Sequence, residues 1–421
     1  MVPEKFIDRL EDVVGSDDLI YNSRVTEVYS TDASPYSGRA VAVVRPENPE
    51  EVSEILKLAN HHSVPVVPRG AGSGTSGGAV PRNAVVIDMK KMDGIEVYQD
   101  DMIVFSEAGA ILHDIKRSLC KFDLFIPPEP GSLRIATAGG FVANNGSGKR
   151  GLKYGSVRNF VAGINAVLPD GKIVRITYRT HRSPGINHQV FVGSEGALGV
   201  ITGIYLRAIP IPEEKKTYLI PLKNTTEIEK SLKRILKVLP DAVEYIDSKS
   251  SSALGYGEEE FIAVEVFGDD RYAERVIDSL GGISIESQEE KRFWERRETL
   301  GAEIAKKGSR VYAGEDFAVP FSRLSDFIEK IKDVERETGS EIFVYGHLDT
   351  CNLHPAIVSE SFEDSMRAAG RLADTALKMG ATVGEHGVAL RWEFLKGLDV
   401  YRRLKYCLDQ KNILNPGKFG L

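Results

Sequence analysis

Three of the chain's eight histidines stand in contexts that suit chemistry. His347 and His354 fall in Tyr345-Gly-His-Leu-Asp-Thr-Cys-Asn-Leu-His354, and His386 in Gly384-Glu-His-Gly387. If Asp349 to Asn352 form a hairpin turn, His347 and His354 become cross-strand neighbours with Cβ atoms about 4.5–5.5 Å apart on one face. Two imidazoles so placed can share a divalent metal, and Glu385 can add a hard oxygen. Three protein ligands with one position left open make a catalytic site, for zinc first, with manganese or iron as alternatives. Cys351, inside the same turn, is a further soft donor. Spacing alone leaves the other reading open, since paired histidines also serve packing or solubility.

A second chemical group is Trp294-Glu295-Arg296-Arg297-Glu298. A guanidinium fork matches a carboxylate bidentately and contributes about 1.5–3 kcal/mol when partly desolvated. On composition alone an ordinary solvated helix face with i,i+4 ion pairs is the stronger reading.

Glycine supplies the third signal. Forty of the 421 residues are glycine, and the surplus is concentrated between Gly70 and Gly203. Arg69-Gly-Ala-Gly-Ser-Gly-Thr-Ser-Gly-Gly78 contains a literal GxGxxG, but the chain runs on through Ala79-Val80-Pro81 into a strand, whereas a Rossmann dinucleotide site needs a helix there. What remains is a loop whose backbone N–H groups can converge on an anion, helped by the hydroxyls of Ser73, Thr75 and Ser76. A flexible linker is the alternative for this loop taken alone. A second glycine-rich stretch, from Pro128-Glu-Pro-Gly131 through Thr137 to Gly148, makes a long diphosphate ligand the better reading. A P-loop fails at Gly148-Lys149, because Ala143 and Arg150 stand where that motif needs glycine and serine or threonine.

The elements carrying these groups follow from periodicity. Asn48-Pro49-Glu50-Glu51 opens a helix with a cap, a proline at its first position and an acid at its third, and Val52, Ile55, Leu56 and Ala59 share one face. Residues 64–67, 84–88, 95–98 and 103–107 read as strands and 111–120 as a helix, and Pro169-Asp170-Gly171 turns a hairpin. The proline and charge of Ile209-Pro-Ile-Pro-Glu-Glu-Lys-Lys216 mark a boundary. Beyond it, strands at 218–222, 243–247 and 261–266 with helices at 226–238 and 271–280 suggest a split βαβ unit. Residues 311–319, 321–338, 341–348 and 360–379 repeat that order. The expected class is α+β, with antiparallel ferredoxin-like repeats in the second half. The expected parts are a helical segment at 1–36, a binding domain at 37–212, a cap at 213–380 and a helical segment at 381–421 that returns to the binding domain.

Taken together, Pro68 to Gly78, Thr137 to Asn145, Tyr154-Gly155 and Gly193-Ser-Glu-Gly-Ala-Leu-Gly-Val-Ile-Thr202 resemble the FAD-binding domain of the vanillyl-alcohol oxidase and p-cresol methylhydroxylase superfamily. The second half resembles the group of FAD-linked D-lactate dehydrogenases, glycolate oxidase catalytic subunits and D-2-hydroxyglutarate dehydrogenases. The resemblance implies a two-subdomain FAD-binding domain with the flavin ring facing a cap. Arg69, Gly70, Ala71, Gly72, Ser73, Gly74, Thr75 and Ser76 would form its first cofactor loop. Pro130, Gly131, Thr137, Gly139, Gly140, Ala143 and Asn144 would form the second, with Tyr154, Gly155, Glu195, Gly199, Ile201 and Asn415 completing the site. Relatives that bind flavin covalently through the first loop have histidine where Ala71 stands, which implies non-covalent FAD here.

The same resemblance implies His347, His354 and Glu385 as metal ligands, His386 as the general base and Arg297 as the substrate's carboxylate clamp. An alcohol pKa near 16 facing a histidine near 6.5 leaves about nine units, or about 12 kcal/mol, for full proton transfer, most of which a coordinated cation removes. The family's GHxGDGNxH pattern is altered here to Asp349-Thr350-Cys351 in its middle. Relatives acting on a dicarboxylate carry a lysine near Gly314-Glu315, and its absence favours a short monocarboxylate such as D-lactate or glycolate. The implied activity is FAD-dependent oxidation of a D-2-hydroxy acid to the 2-oxo acid. Alternatives are a flavin oxidase of another alcohol or sugar acid, and a flavin-binding subunit of a larger dehydrogenase.

Composition bounds the partners. A net charge of −7 with no local basic patch argues against nucleic acid. Three scattered cysteines, Cys120, Cys351 and Cys407, suit a reducing compartment and hold no iron–sulfur cluster. The apolar runs are strand length, and Met1 to Val14 reads as an amphipathic helix with no signal-peptide core, so a cytoplasmic location is expected, peripheral to a membrane at most through a partner. Electrons must leave through an iron–sulfur partner protein, an electron-transfer flavoprotein or a quinone. A homodimer is compatible with all of this.

Overall fold

The computed structural model describes residues 4–21, 24–176, 187–306, 310–313, 316–383 and 398–418. Glu385 and His386 lie outside the described residues, as do Gly314 and Glu315.

The first half contains strands β1 (Leu19–Tyr21), β2 (Arg39–Val44), β3 (Val66–Arg69), β4 (Arg82–Asp88), β5 (Ile95–Tyr98), β6 (Ile103–Glu107), β7 (Leu124–Phe125), β8 (Val161–Val167), β9 (Ile173–Ile176), β10 (Val200–Arg207) and β11 (Ile209–Pro210). β2, β4 and β3 pair in parallel and β1 closes the edge, giving the order β1-β2-β4-β3. The second sheet is antiparallel, β5-β6-β10-β8-β9. Helices Glu4–Val14 and Pro49–His62 bury Phe6, Leu10, Val52, Ile55 and Leu56 in a core that both sheets share. The expected cap is present: Asn48 accepts from the Glu51 amide at 2.9 Å and donates to the Glu51 carboxylate at 2.7 Å.

The cap contains β12 (Lys215–Pro221), β13 (Ala242–Ile246), β14 (Phe261–Phe267), β15 (Ile283–Ser284), β16 (Arg310–Ala313), β17 (Phe317–Ala318), β18 (Glu341–His347), β19 (Asn352–Ser359) and β20 (Thr382–Val383). Their order is β15-β12-β14-β13-β18-β19-β17-β20, with β16 also on β19. Each half of this series has the ferredoxin-like order of outer strand, first, third and second, and the halves join through their second strands, β13 and β18. One face of the sheet buries Val243, Tyr245, Ile262 and Val264 under helices such as Ile228–Ile235, Leu324–Thr338 and Phe362–Lys378. The opposite face packs Ala242, Phe261, Ala263 and Phe343 against the helix Ser287–Ala305.

Two expectations are corrected. The strand expected at 311–319 is divided between β16 and β17, whose register on β19 slips by one residue between Ala313↔Ala356 and Phe317↔Leu353. The C-terminal region is helical only at Leu398–Leu408 among its described residues. Asp409 then takes the amides of Ile413 and Leu414, at 2.9 and 2.8 Å, and Asn412 and Asn415 adopt left-handed φ of 49° and 40°. Together with Pro416 this prevents the helix from continuing. No helix among the described residues is long and apolar enough to cross a membrane.

Candidate functional site

A single cavity of about 780 Å³ runs from the glycine-rich loops of the first half to the inner face of the cap sheet. That volume lies in the upper part of the range for small-molecule and cofactor sites. Of the residues expected to hold a nucleotide, Arg69 through Ser76, Pro130, Gly131, Thr137, Gly139, Gly140, Ala143, Asn144, Glu195 and Ile201 line it.

The loops owe their closeness to missing side chains. A Cβ on Gly70 would stand 2.0 Å from Thr137 Oγ1, and one on Gly139 would stand 2.9 Å from the Ala108 carbonyl. Gly72 has a φ of +68°, and a Cβ there would meet the Arg69 guanidinium at 2.2 Å. The first loop is held from outside by the C-terminal segment. Lys418 donates to the carbonyls of Gly77 and Val80 at 2.7 and 2.8 Å, and Asn415 donates to those of Gly78 and Glu195 at 2.9 and 2.6 Å. Two close-packed glycine loops with hydroxyl donors, facing one long cavity, fit an extended dinucleotide.

Tyr154, Gly155, Gly199 and Asn415 do not line this cavity. The Tyr154 hydroxyl instead donates to Asp241 of the cap at 2.8 Å. Gly155 ends a short helix at a φ of +74°, Gly199 packs under the Phe191 ring, and Asn415 acts behind the loop as described. The structure thus gives these four residues contacts of their own beside the cavity.

At the cap end, β18 and β19 bring His347 and His354 together with ring centroids 4.9 Å apart, nearly perpendicular. The register is not the expected directly opposed pair. The turn occupies residues 348–351, so that His347 faces Asn352 and His354 faces Tyr345. The imidazoles meet on the diagonal, which long side chains can span. Each is oriented through Nδ1 by a carboxylate: His347 by Glu244, directly across on β13, and His354 by Asp316 at 2.7 Å. With Nδ1–H given to the carboxylate, each Nε2 is left with a free lone pair for a metal ion. Asn352 gives its amide to Asp316 at 3.2 Å and keeps a buried Oδ1 with no hydrogen-bond partner. Burial lowers the pKa of His347 and favours its neutral, ligating form. These donors fit a divalent cation, although among the described residues no three His, Cys, Asp or Glu side chains converge on one. Cys351 is not a fourth donor. It packs against the apolar core on the opposite face of the sheet, where burial pushes its thiol up to about 11.

The helix Ser287–Ala305 lays Trp294, Arg297, Glu298 and Gly301 along the cavity wall at i, i+3, i+4 and i+7. In this segment, for which a solvated face had been the stronger reading, Glu295, Arg296 and Glu298 are exposed as that reading has it, while Trp294 is buried and Arg297 half-buried. Arg297 stacks over Tyr345, its carbon Cζ 4.6 Å from the ring centroid. Its Nε and Nη2 donate to Glu244 Oε2 at 2.9 and 2.5 Å, so only the Nη1–Nη2 end remains for a second carboxylate. Glu244 is fully buried, which opposes its charge, yet Arg297 and His347 hold it at about 2. Glu244 escaped the sequence reading. Its one signal was an acid inside the otherwise apolar Ala242-Val-Glu-Tyr-Ile246, repeated by Glu265 in Phe261–Phe267.

Known proteins share this organisation. Residues 40–177 match the family described as FAD binding domain, and residues 211–419 match the family described as FAD linked oxidases, C-terminal domain. The chain is 31% identical to the glycolate oxidase subunit GlcD of Bacillus subtilis (strain 168), covering 99% of this chain and 97% of that protein. It is 32% identical to a D-lactate dehydrogenase of Archaeoglobus fulgidus, covering 91% and 92% respectively. The structure of p-cresol methylhydroxylase with substrate bound superposes with a TM-score of 0.82 at 16% identity, over 99% of this chain and 96% of that one.

Proposed function

The chain belongs to the FAD-linked oxidase family, and on that footing we propose that it oxidises a 2-hydroxy acid, of the D-lactate or glycolate type at its reacting end, to the 2-oxo acid. The observation that carries this reading is Glu244, which ties a guanidinium and an imidazole to one carboxylate on the wall of the cavity that the glycine loops enter. A carboxylate-binding group and a hydroxyl-binding group are thereby held at fixed separation, as the two adjacent functions of a 2-hydroxy acid require.

Arg297 would take the substrate carboxylate on its Nη1–Nη2 end, and Tyr345 beneath it limits its rotation. His347, His354 and Glu385 would hold a divalent ion, zinc by preference, and when bound it would acidify the α-hydroxyl. His386, beside Glu385 in sequence, is the proposed acceptor of the hydroxyl proton. FAD, when bound along the glycine loops, would supply the hydride acceptor. Reoxidation would pass electrons to a separate partner protein or quinone, in a cytoplasmic setting.

Anaerobic addition of D-lactate or glycolate to the flavin-loaded protein is expected to bleach its visible absorbance. A loaded protein that no 2-hydroxy acid bleaches overturns the proposal. Dialysis against a chelator is expected to abolish the bleaching and added zinc to restore it, whereas full activity in metal-free protein removes the metal from the scheme.

A further inference from the structure

Lys149 is an unusual cation for its surroundings. It lines the cavity with only 12% of its side chain exposed, and its ammonium stands 3.9 Å from the centroid of the Trp294 ring. The indole cannot swing away, because its Nε1 donates to buried Thr217 Oγ1 at 3.0 Å. The nearest carboxylate oxygen, Glu265 Oε2, is 3.8 Å away, beyond hydrogen-bond reach, and is itself without a hydrogen-bond partner. The other oxygen of Glu265 is already engaged by Arg150 Nε at 2.8 Å. Glu298 faces the same cavity but forms no ion pair with the lysine. Among the described residues, then, the Lys149 ammonium has an aromatic face beneath it and no hydrogen-bond acceptor at all. A buried ammonium in that condition is poorly compensated until something in the cavity accepts from it.

Its position says what that acceptor is. Trp294 lies three residues before Arg297 on the same helical stripe, a rise of about 4.5 Å. The two cations line the same cavity, Lys149 over Trp294 and Arg297 further along the same helix, so that one ligand with an anionic group at each end could engage both. We propose that Lys149 is a specificity-determining residue that binds a second, distal carboxylate, so that the site selects four- or five-carbon 2-hydroxy diacids over lactate or glycolate. This rests on the 2-hydroxy acid reading above and extends it to the far end of the substrate. It also revises the sequence argument against a dicarboxylate. That argument looked for a lysine near Gly314-Glu315 in the cap, whereas here the cation comes from the glycine-rich loop of the other half.

The test compares the flavin-loaded wild type with Lys149→Met and Lys149→Arg on D-malate, D-2-hydroxyglutarate and D-lactate. The wild type is expected to prefer the diacids in kcat/KM. Lys149→Met should lower the diacid-to-lactate ratio by about 10- to 100-fold, mainly through KM, and Lys149→Arg should retain most of it. Calorimetric titration with glutarate and butyrate, which carry no hydroxyl, reads the subsite without turnover, and glutarate should bind more tightly in the wild type but not in Lys149→Met. An unchanged ratio, or glutarate binding no better than butyrate, overturns the proposal. So does a Lys149→Met protein whose substrate-free flavin spectrum and midpoint potential shift while all substrates slow alike, which would make the lysine a partner of the flavin carbonyls. If glutarate binds in a Lys149-dependent way but no hydroxy acid bleaches the flavin, the subsite stands and the oxidation reading falls. Flavin content and Tm of each variant separate these outcomes from misfolding.

Discussion

Glu244 shows how much one side chain can organise. It is buried, and the two groups it compensates, Arg297 and His347, are those to which opposite ends of the reaction are assigned. Replacing it with glutamine keeps its shape but removes its charge, which leaves a buried guanidinium uncompensated and His347 without a strong acceptor. Losing one partner of such a pair costs about 3–5 kcal/mol, and losing the carboxylate that orients a ligating histidine lowers activity or metal affinity about 10- to 100-fold. Glu244→Gln is therefore expected to lower both Tm and kcat/KM, and a variant within threefold of wild type would show that the carboxylate organises neither group. Asp247, three residues on, illustrates a different cost. It caps the helix Ser248–Leu254 by accepting from the Ser250 amide at 2.8 Å, and its burial pushes its pKa up to about 6. The folded chain thus holds a proton that the unfolded chain releases near pH 4, so this group's contribution to stability falls as pH rises from about 4 to 6. Asparagine caps as well and does not titrate. Asp247→Asn should flatten that part of the stability profile and stabilise the protein at pH 7 by up to about 2–3 kcal/mol, measured by urea unfolding at several pH values.

At the scale of elements, the cofactor side depends on backbones that touch. Gly139 sits in the short helix Ala138–Ala143, where an added Cβ would be 2.7 Å from Ala108 Cβ and 2.9 Å from its carbonyl oxygen. Neither neighbour is a flexible side-chain end, so Gly139→Ala must push the second glycine loop away from β6 and β10. Flavin retention after gel filtration should fall more than tenfold, while the far-ultraviolet signature is kept; full retention would mean the loop can shift without losing the ligand. Local signals made these loops legible in sequence, because glycine, proline and hydroxyl residues at fixed offsets specify a turn wherever it occurs. The histidine pair was legible for the same reason, although a hairpin two residues out of the assumed register makes the contact diagonal. Glu244 was not. Its partner His347 is 103 residues away, and only the joining of the two ferredoxin-like halves through β13 and β18 brings them together. Lys149 was likewise read only as a failed P-loop lysine, since nothing local to Gly148-Lys149 indicates that it will meet Trp294 of the cap.

Across the whole molecule, four residues within the run 150–154 stitch the two halves together. Arg150 reaches Glu265 of the cap at 2.8 Å and Glu129 of its own half at 3.2 Å, with 8% of its side chain exposed. The Leu152 amide donates to Asp349 at 3.2 Å, and Lys153 and Tyr154 meet Asp241 at 2.9 and 2.8 Å. This seam borders the cavity whose glycine loops belong to one half and whose histidines and Arg297 belong to the other. Its rigidity therefore fixes the distance between the cofactor and the substrate groups. Arg150→Met removes the central cation and leaves buried Glu265 and half-buried Glu129 with only Lys149 and Lys116 beside them. Glu129, in the second glycine-rich stretch, keeps its ion pair with Lys116 at 2.7 Å, and the first loop is held by Asn415 and Lys418, so flavin content should stay within twofold of wild type. A misplacement of about 1 Å between reacting groups is enough to lose about 10²-fold in rate, and kcat should fall by that order while the flavin remains bound. Calorimetry should at the same time show two unfolding transitions, one for each half, where the wild type is expected to show one. If Arg150→Met instead lost flavin and activity in proportion and still unfolded in one step, the seam would be part of the cofactor site and not the hinge that aligns it with the cap.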